Sequence, residues 1–151
     1  MQPRRGGPAS TLGIALVVAL TGCGGSHGSA LSPAAVAVRY MSSVWNGRFA
    51  ESSRYTVPAQ RDEAAAAAAI LSPGSVSGTH LRAGAVHVGG NEATVTILGR
   101  LCTSASRLTV AQAARRHTLQ CRTNSSGLPS SQAFVVRLVK EHGAWYVTYG
   151  P

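Results

Sequence analysis

Carboxylates are the first candidates for acid–base chemistry in this chain, and it has five acidic residues in 151. Asp62 falls where a helix is predicted to begin, and a carboxylate there complements the helix dipole. Glu51 lies three residues from both Arg48 and Arg54. That spacing favours a surface ion pair on a short helix. We therefore predict structural roles for both carboxylates.

Tyrosine and histidine side chains are the remaining candidates. Tyr40 and Tyr55 could project their hydroxyls into a pocket, but such tyrosines are more often core residues with a polar tip. His80 and His87 are seven residues apart in a predicted strand, so strict alternation places them on opposite faces. No pair of histidines has the spacing of a metal site. We expect no catalytic residue, no metal and no cofactor.

Two of the three cysteines predict a disulfide. Cys102 and Cys121 are separated by 19 residues, and outside the cytosol such an isolated pair most simply forms a bridge. The alternative is metal ligation, for which His117 would be the only additional ligand nearby. By the chain-entropy model a bridge over this span contributes about 3 kcal/mol.

The third cysteine lies in a different context, behind an apolar segment from about Ala9 to Leu20 that follows two arginines. This layout is typical of a secretory signal and is too short for a membrane span, which needs about 20 apolar residues. The residues "LTGC" (20–23) resemble a bacterial lipobox. The resemblance implies a signal peptide over 1–22, a diacylglyceryl group (palmitate-type chains) on Cys23 and a Gly/Ser-rich tether over 23–31. The alternative is an ordinary signal peptide with an incidental cysteine.

The chain is strongly basic, with a formal charge of +9, and loss of Arg4 and Arg5 with the signal peptide would lower this by two. A basic exported protein is attracted to an anionic membrane surface or wall polymer. Its basic residues are scattered, and no nucleic-acid-binding signature is present. We expect the extracytoplasmic face of the cell membrane as its location and no nucleic acid as its partner.

The first half of the expected mature chain has helical periodicity. Ser32-Pro33 combines a capping hydroxyl with proline at the first helical position, and apolar residues then recur every three or four positions as far as Trp45. Asn46-Gly47 ends this helix. A short helix is predicted over 48–55, and the alanine-rich segment 59–71 predicts a third.

The second half changes to the period of strands. Four segments are predicted to form two hairpins: 79–88, 92–102, 133–139 and 144–150. In the second of them, Ala93, Val95, Ile97 and Leu101 alternate with more polar residues, which indicates a half-buried strand. Segment 103–132 is consistent with a helix from Thr109 to about His117, or with an extension of the sheet held by the disulfide.

Helices followed by an antiparallel sheet predict the α+β class. The stretches "VWNGRFAESSRYTVP" (44–58) and "GAWYVTYG" (143–150) resemble the cone-shaped fold of the nuclear transport factor two-like superfamily, in particular small exported actinobacterial lipoproteins. The resemblance implies one α+β domain over 32–151, with N-terminal helices packed on a curved antiparallel, cone-like sheet. A cavity in such a cone would be mostly apolar, and its expected lining is Tyr40, Val44, Tyr55, Val95, Ile97, Val136 and Trp145.

The leading functional hypothesis is a non-catalytic binding or accessory module of the cell envelope. Its partner would be a lipid, a small apolar ligand or another envelope protein. The alternative is an isomerase- or dehydratase-like enzyme acting on a small apolar substrate, with Tyr40 or Tyr55 working with Glu51. A third hypothesis is a structural protein held to anionic polymers by its charge. A carboxylate or imidazole at the cavity floor would favour the enzyme, and an aliphatic floor would favour the binding module.

Overall fold

The fold is described from a computed structural model, which covers residues 30–69, 74–104, 108–128 and 131–149. The expected signal peptide, the lipid attachment at Cys23 and the tether up to residue 29 lie outside these residues. Within the described part of the chain, every helix is too short or too polar to cross a bilayer.

Helices occupy the first third of the described chain, as the periodicity predicts. They are α1 (Pro33–Trp45), α2 (Phe49–Ser52) and α3 (Arg61–Ala69), with 3₁₀ turns over Ser53–Tyr55 and Pro58–Gln60. The backbone N–H of Ala35 donates to the hydroxyl of Ser32 at 3.2 Å, which confirms the predicted cap. Asp62 lies in the first turn of α3, where its charge complements the helix dipole as expected.

Five strands and one further helix follow. They are β1 (Val76–Gly89), β2 (Glu92–Ser104), α4 (Val110–Arg115), β3 (Leu119–Asn124), β4 (Val135–Glu141) and β5 (Ala144–Val147). The sheet is antiparallel in the order β1-β2-β4-β5. Strand β4 pairs with residues 92–96 of β2, whereas β3 pairs with residues 99–104. Segment 103–132 therefore contains both a helix and an added strand.

The core lies between α1 and the concave face of this curled sheet. Alternate residues of β2 point towards α1 and are buried: Ala93, Val95, Ile97 and Leu101. Phe134, which is fully buried in a 3₁₀ turn before β4, lies in the same cluster with Val136 and Leu138. The mixed α+β class is confirmed, because the helices come first and pack on an antiparallel sheet.

Two β-bulges and one glycine bend the long hairpin of β1 and β2. The pairing shifts by one residue between Thr79 and Arg82, and again between Ala83 and Val86. A bulge bends its strand and increases the local twist. Gly99, where β2 exchanges β4 for β3 as its neighbour, has a φ of 134°. The sheet therefore curls at this end.

The bulges also change where the two histidines of β1 lie. His87 pairs with Thr94, and His80 lines a groove together with Arg100. Thr94 and Arg100 are an even number of residues apart on β2, so both belong to the convex face, away from α1. The expectation of opposite faces assumed strict alternation along an unbroken strand, and the two bulges interrupt that alternation.

Candidate functional site

A cavity of about 280 Å³ lies between α1 and the strands β4 and β5. We call it the helix-side cavity. Helix α1 supplies one wall with Tyr40, Met41, Val44 and Trp45, while Val136 and Val147 are buried at the other. Its size is just below the roughly 300–1,000 Å³ typical of small-molecule sites.

Three of the seven residues expected to line a cavity are found here, namely Tyr40, Val44 and Val136. Val95 and Ile97 lie deeper, fully buried in the core cluster beneath α1. Being enclosed by other side chains, these two residues support the cavity without facing it.

The other two expected residues are half-buried and pack against the core from its edge. Tyr55 lies in the 3₁₀ turn after α2. Trp145 lies on β5 with the ammonium of Lys140 5.8 Å from its ring centroid, a cation–π contact. Neither residue lines the helix-side cavity.

Met41, Trp45 and Tyr149 line the cavity although they were not among the expected residues. The signal for the first two is their place on the apolar stripe of α1, beside Tyr40 and Val44. The signal for Tyr149 is the alternation that places it on the same face as Val147.

A pair of tyrosines forms the polar end of the cavity. The hydroxyls of Tyr40 and Tyr149 are hydrogen-bonded to each other, and the two rings meet edge to face with centroids 6.3 Å apart. Burial raises the pKa of Tyr40 well above its usual value of 10.0, and the hydrogen bond with Tyr149 raises the pKa further. Tyr40 is therefore a neutral hydrogen-bonding group throughout the physiological pH range.

The side chain of Gln60 holds Tyr149 in place by pairing with its backbone. The amide nitrogen of Gln60 donates to the carbonyl of Tyr149 at 2.6 Å, and the N–H of Tyr149 donates to the amide oxygen at 3.0 Å. Three residues before Gln60 in the chain, the N–H of Val57 donates to the carbonyl of Val147 at 3.0 Å. The segment preceding α3 thus fixes the end of β5 against the sheet.

A second, larger groove of about 730 Å³ lies beside the paired Gln60 and Tyr149. We call it the carboxylate groove. Glu92, Thr94, Arg137 and Glu141 contribute to its lining. Among the described residues, no group of three or more His, Cys, Asp or Glu side chains could hold a metal ion. Its charges are mixed, so it does not favour one sign of ligand.

No protein-family model, curated protein or solved structure matches this chain. The chemistry of the helix-side cavity therefore follows from its own side chains. Apart from the two tyrosines, the titratable group in its described lining is Arg137, which donates hydrogen bonds and does not accept them.

Glu51, the carboxylate proposed for the enzyme alternative, lies elsewhere. It forms an ion pair with Arg48 at 3.4 Å, which confirms the ion pair that the spacing predicted. It lines a separate surface depression with Phe49 and Arg54. The helix-side cavity thus combines apolar walls with hydrogen-bond donors, an arrangement suited to binding.

Proposed function

We propose that this chain is an exported lipoprotein, anchored through Cys23 to the outer face of the cell membrane, whose domain binds a small apolar ligand without catalysing a reaction. We further propose that the domain is a member of the nuclear transport factor two-like cone fold. The curled antiparallel sheet, with helices preceding it in the chain, supports this assignment.

The observation that carries the binding role is the lining of the helix-side cavity. Met41, Val44, Val136 and Val147 give it apolar walls. A general base would need an accessible acceptor with a pKa near the working pH, and burial moves the pKa of Tyr40 in the opposite direction. The lining therefore supports binding over acid–base catalysis.

The tyrosine pair determines which ligand this cavity would bind. Two hydroxyls carry two hydrogens, and their mutual bond uses one of them. The remaining hydrogen can be donated to an acceptor oxygen on the ligand. A short acyl chain ending in a carboxylate therefore fits both the apolar walls and this donor.

The anchoring proposal is tested by changing Cys23 to serine in the full-length chain expressed in a bacterial host. We expect the natural chain to remain with the membrane fraction and to begin at an acylated Cys23 in an intact mass spectrum. The variant should lose both the acyl mass and cleavage before residue 23, because the sulfur is the attachment point. A variant that still sediments with the membranes, with an unchanged mature start, would contradict the anchor.

The binding proposal is tested by titrating the purified protein with decanoate while monitoring tryptophan fluorescence, since Trp45 lines the cavity. Tyr40→Phe combined with Tyr149→Phe removes both hydroxyls, and with them the donor to the ligand, at nearly constant volume. It should weaken binding about tenfold, the loss of about 1.4 kcal/mol expected for a hydrogen bond to a charged group.

Tyr146→Phe is the matched control, because Tyr146 lies on β5 outside the cavity lining. Its affinity for decanoate should equal that of the natural protein. Equal affinities for all three proteins, or no binding by the natural protein, would refute the proposed ligand class.

A further inference from the structure

A third depression, of about 370 Å³, lies on the sheet near the bulged part of β1. We call it the arginine groove. Its polar lining includes Thr79, His80, Arg82, Arg100, Thr123 and Asn124, and Leu98 and Gly99 also contribute. The groove therefore collects two arginines, one histidine and two threonine hydroxyls, and its described lining has no acidic residue.

Strand register brings these groups together on the convex face. Thr79, Arg100 and Thr123 are direct partners across β1, β2 and β3, so their side chains form one row. Arg82 is opposite Leu98, two residues before Arg100. This diagonal relationship places the two arginines about 7–8 Å apart at their bases, within reach of one small group between them.

The positive charge of this groove is not balanced within the described part of the chain. The one ion pair found there joins Arg48 to Glu51, so neither Arg82 nor Arg100 has a carboxylate partner among these residues. Two like charges near each other on one face of a sheet repel each other. An anion between the two guanidinium groups would convert this repulsion into attraction.

A buried hydrogen bond and the disulfide hold the wall of the arginine groove in place. Asn124 is 2% exposed, and its amide nitrogen donates to the carbonyl of Ile97 at 2.9 Å. Two cross-strand pairs beyond the row of Arg100 and Thr123, the Cys102–Cys121 disulfide joins the same two strands. The backbone that carries Arg100 is therefore fixed before a ligand binds, which favours affinity.

We propose that the arginine groove is a binding site for a phosphate group. Guanidinium groups bind phosphate oxygens in a bidentate manner, and Thr79 and His80 supply additional donors. The phosphate belongs either to a lipid headgroup of the membrane or to a soluble phosphate compound. This site is separate from the helix-side cavity and does not depend on the apolar ligand proposed there.

The test is calorimetric titration of the mature, detergent-extracted chain with inorganic phosphate. Arg82→Gln combined with Arg100→Gln should weaken binding at least tenfold. Arg39→Gln combined with Arg61→Gln removes the same charge from exposed helix positions and should leave the affinity within twofold. Equal weakening in both double variants, or no binding by the natural chain, would overturn the proposal.

Arg100→Lys is the second variant in case the double glutamine variant does not fold, since it keeps the charge and loses the bidentate geometry. It should weaken phosphate binding severalfold at an unchanged melting temperature, and an unchanged affinity would count against the site.

The source of the phosphate is distinguished by soluble dihexanoyl-phosphatidylglycerol, which carries the phosphodiester of a lipid headgroup. Binding of this lipid at least as tight as that of inorganic phosphate would assign the groove to a headgroup. Binding of inorganic phosphate alone would assign it to a soluble phosphate. In either case the affinity must fall in the Arg82 and Arg100 double variant for the site to stand.

Discussion

Replacing Gly99 with alanine is expected to lower the free energy of unfolding by about 3 kcal/mol, from backbone strain and overpacking together. The φ of 134° is one that side-chain-bearing residues rarely adopt. A Cβ atom there would lie 2.9 Å from the carbonyl oxygen of Thr79 and 3.0 Å from that of His80. Both oxygens belong to the backbone of β1, so they cannot move aside as a side chain would.

Gly89→Ala is the matched control for this change. Gly89 lies at the end of the same strand β1, and a Cβ atom on it would have no neighbour within 4 Å. Its free energy of unfolding in urea should differ from that of the natural protein by less than about 1 kcal/mol. Equal stabilities of the two alanine variants would show that the sheet does not bend at Gly99 as described.

Sequence patterns predicted those parts of the fold that depend on neighbouring residues. The Ser32 cap, the stripe of α1 and the alternation of Ala93, Val95 and Ile97 each depend on local spacing, and each is confirmed. The hairpin is also confirmed by the antiparallel pairing of β4 and β5, and His142 and Gly143 in its turn both have positive φ. Such a two-residue turn matches the twist of paired strands.

Pairings between distant residues could not be predicted in the same way. Strands β3 and β4 share one edge of β2, and no local pattern in 103–132 indicates which edge a strand will join. The two bulges in β1 are likewise set by pairing with β2. The arginine groove depends on both features, so its residues are brought together only by the folded sheet.

The lining of the helix-side cavity could be predicted from the sequence only in part. Tyr40, Val44 and Val136 could be predicted because they lie on the inward faces of their elements. The same pattern cannot distinguish them from Val95 and Ile97, because burial under a helix and exposure to a cavity have the same periodicity. Alternation along β5 places Tyr149 on the face of Val147, whereas the pairing of its backbone with Gln60, 89 residues earlier, has no local signal.

Breaking the Cys102–Cys121 bridge by changing both residues to alanine is expected to lower the free energy of unfolding by about 3 kcal/mol. The structure confirms the bridge that was predicted from the two cysteines, and it places them directly opposite each other on β2 and β3 with Cα atoms 4.1 Å apart. The bond limits the conformations of the loop between two cysteines that are 19 positions apart in the unfolded chain. Urea unfolding at equilibrium measures the loss.

Reduction provides the control, because dithiothreitol should destabilise the natural chain by about as much as the double substitution does and should leave the double variant unchanged. The position of the bridge also predicts where the loss is concentrated. Strand β3 is a six-residue strand paired with β2 alone in the described sheet, so its amide protons should lose more protection from hydrogen exchange than those of β4. A double variant as stable as the natural chain, with β3 still protected, would mean that strand pairing alone holds this segment.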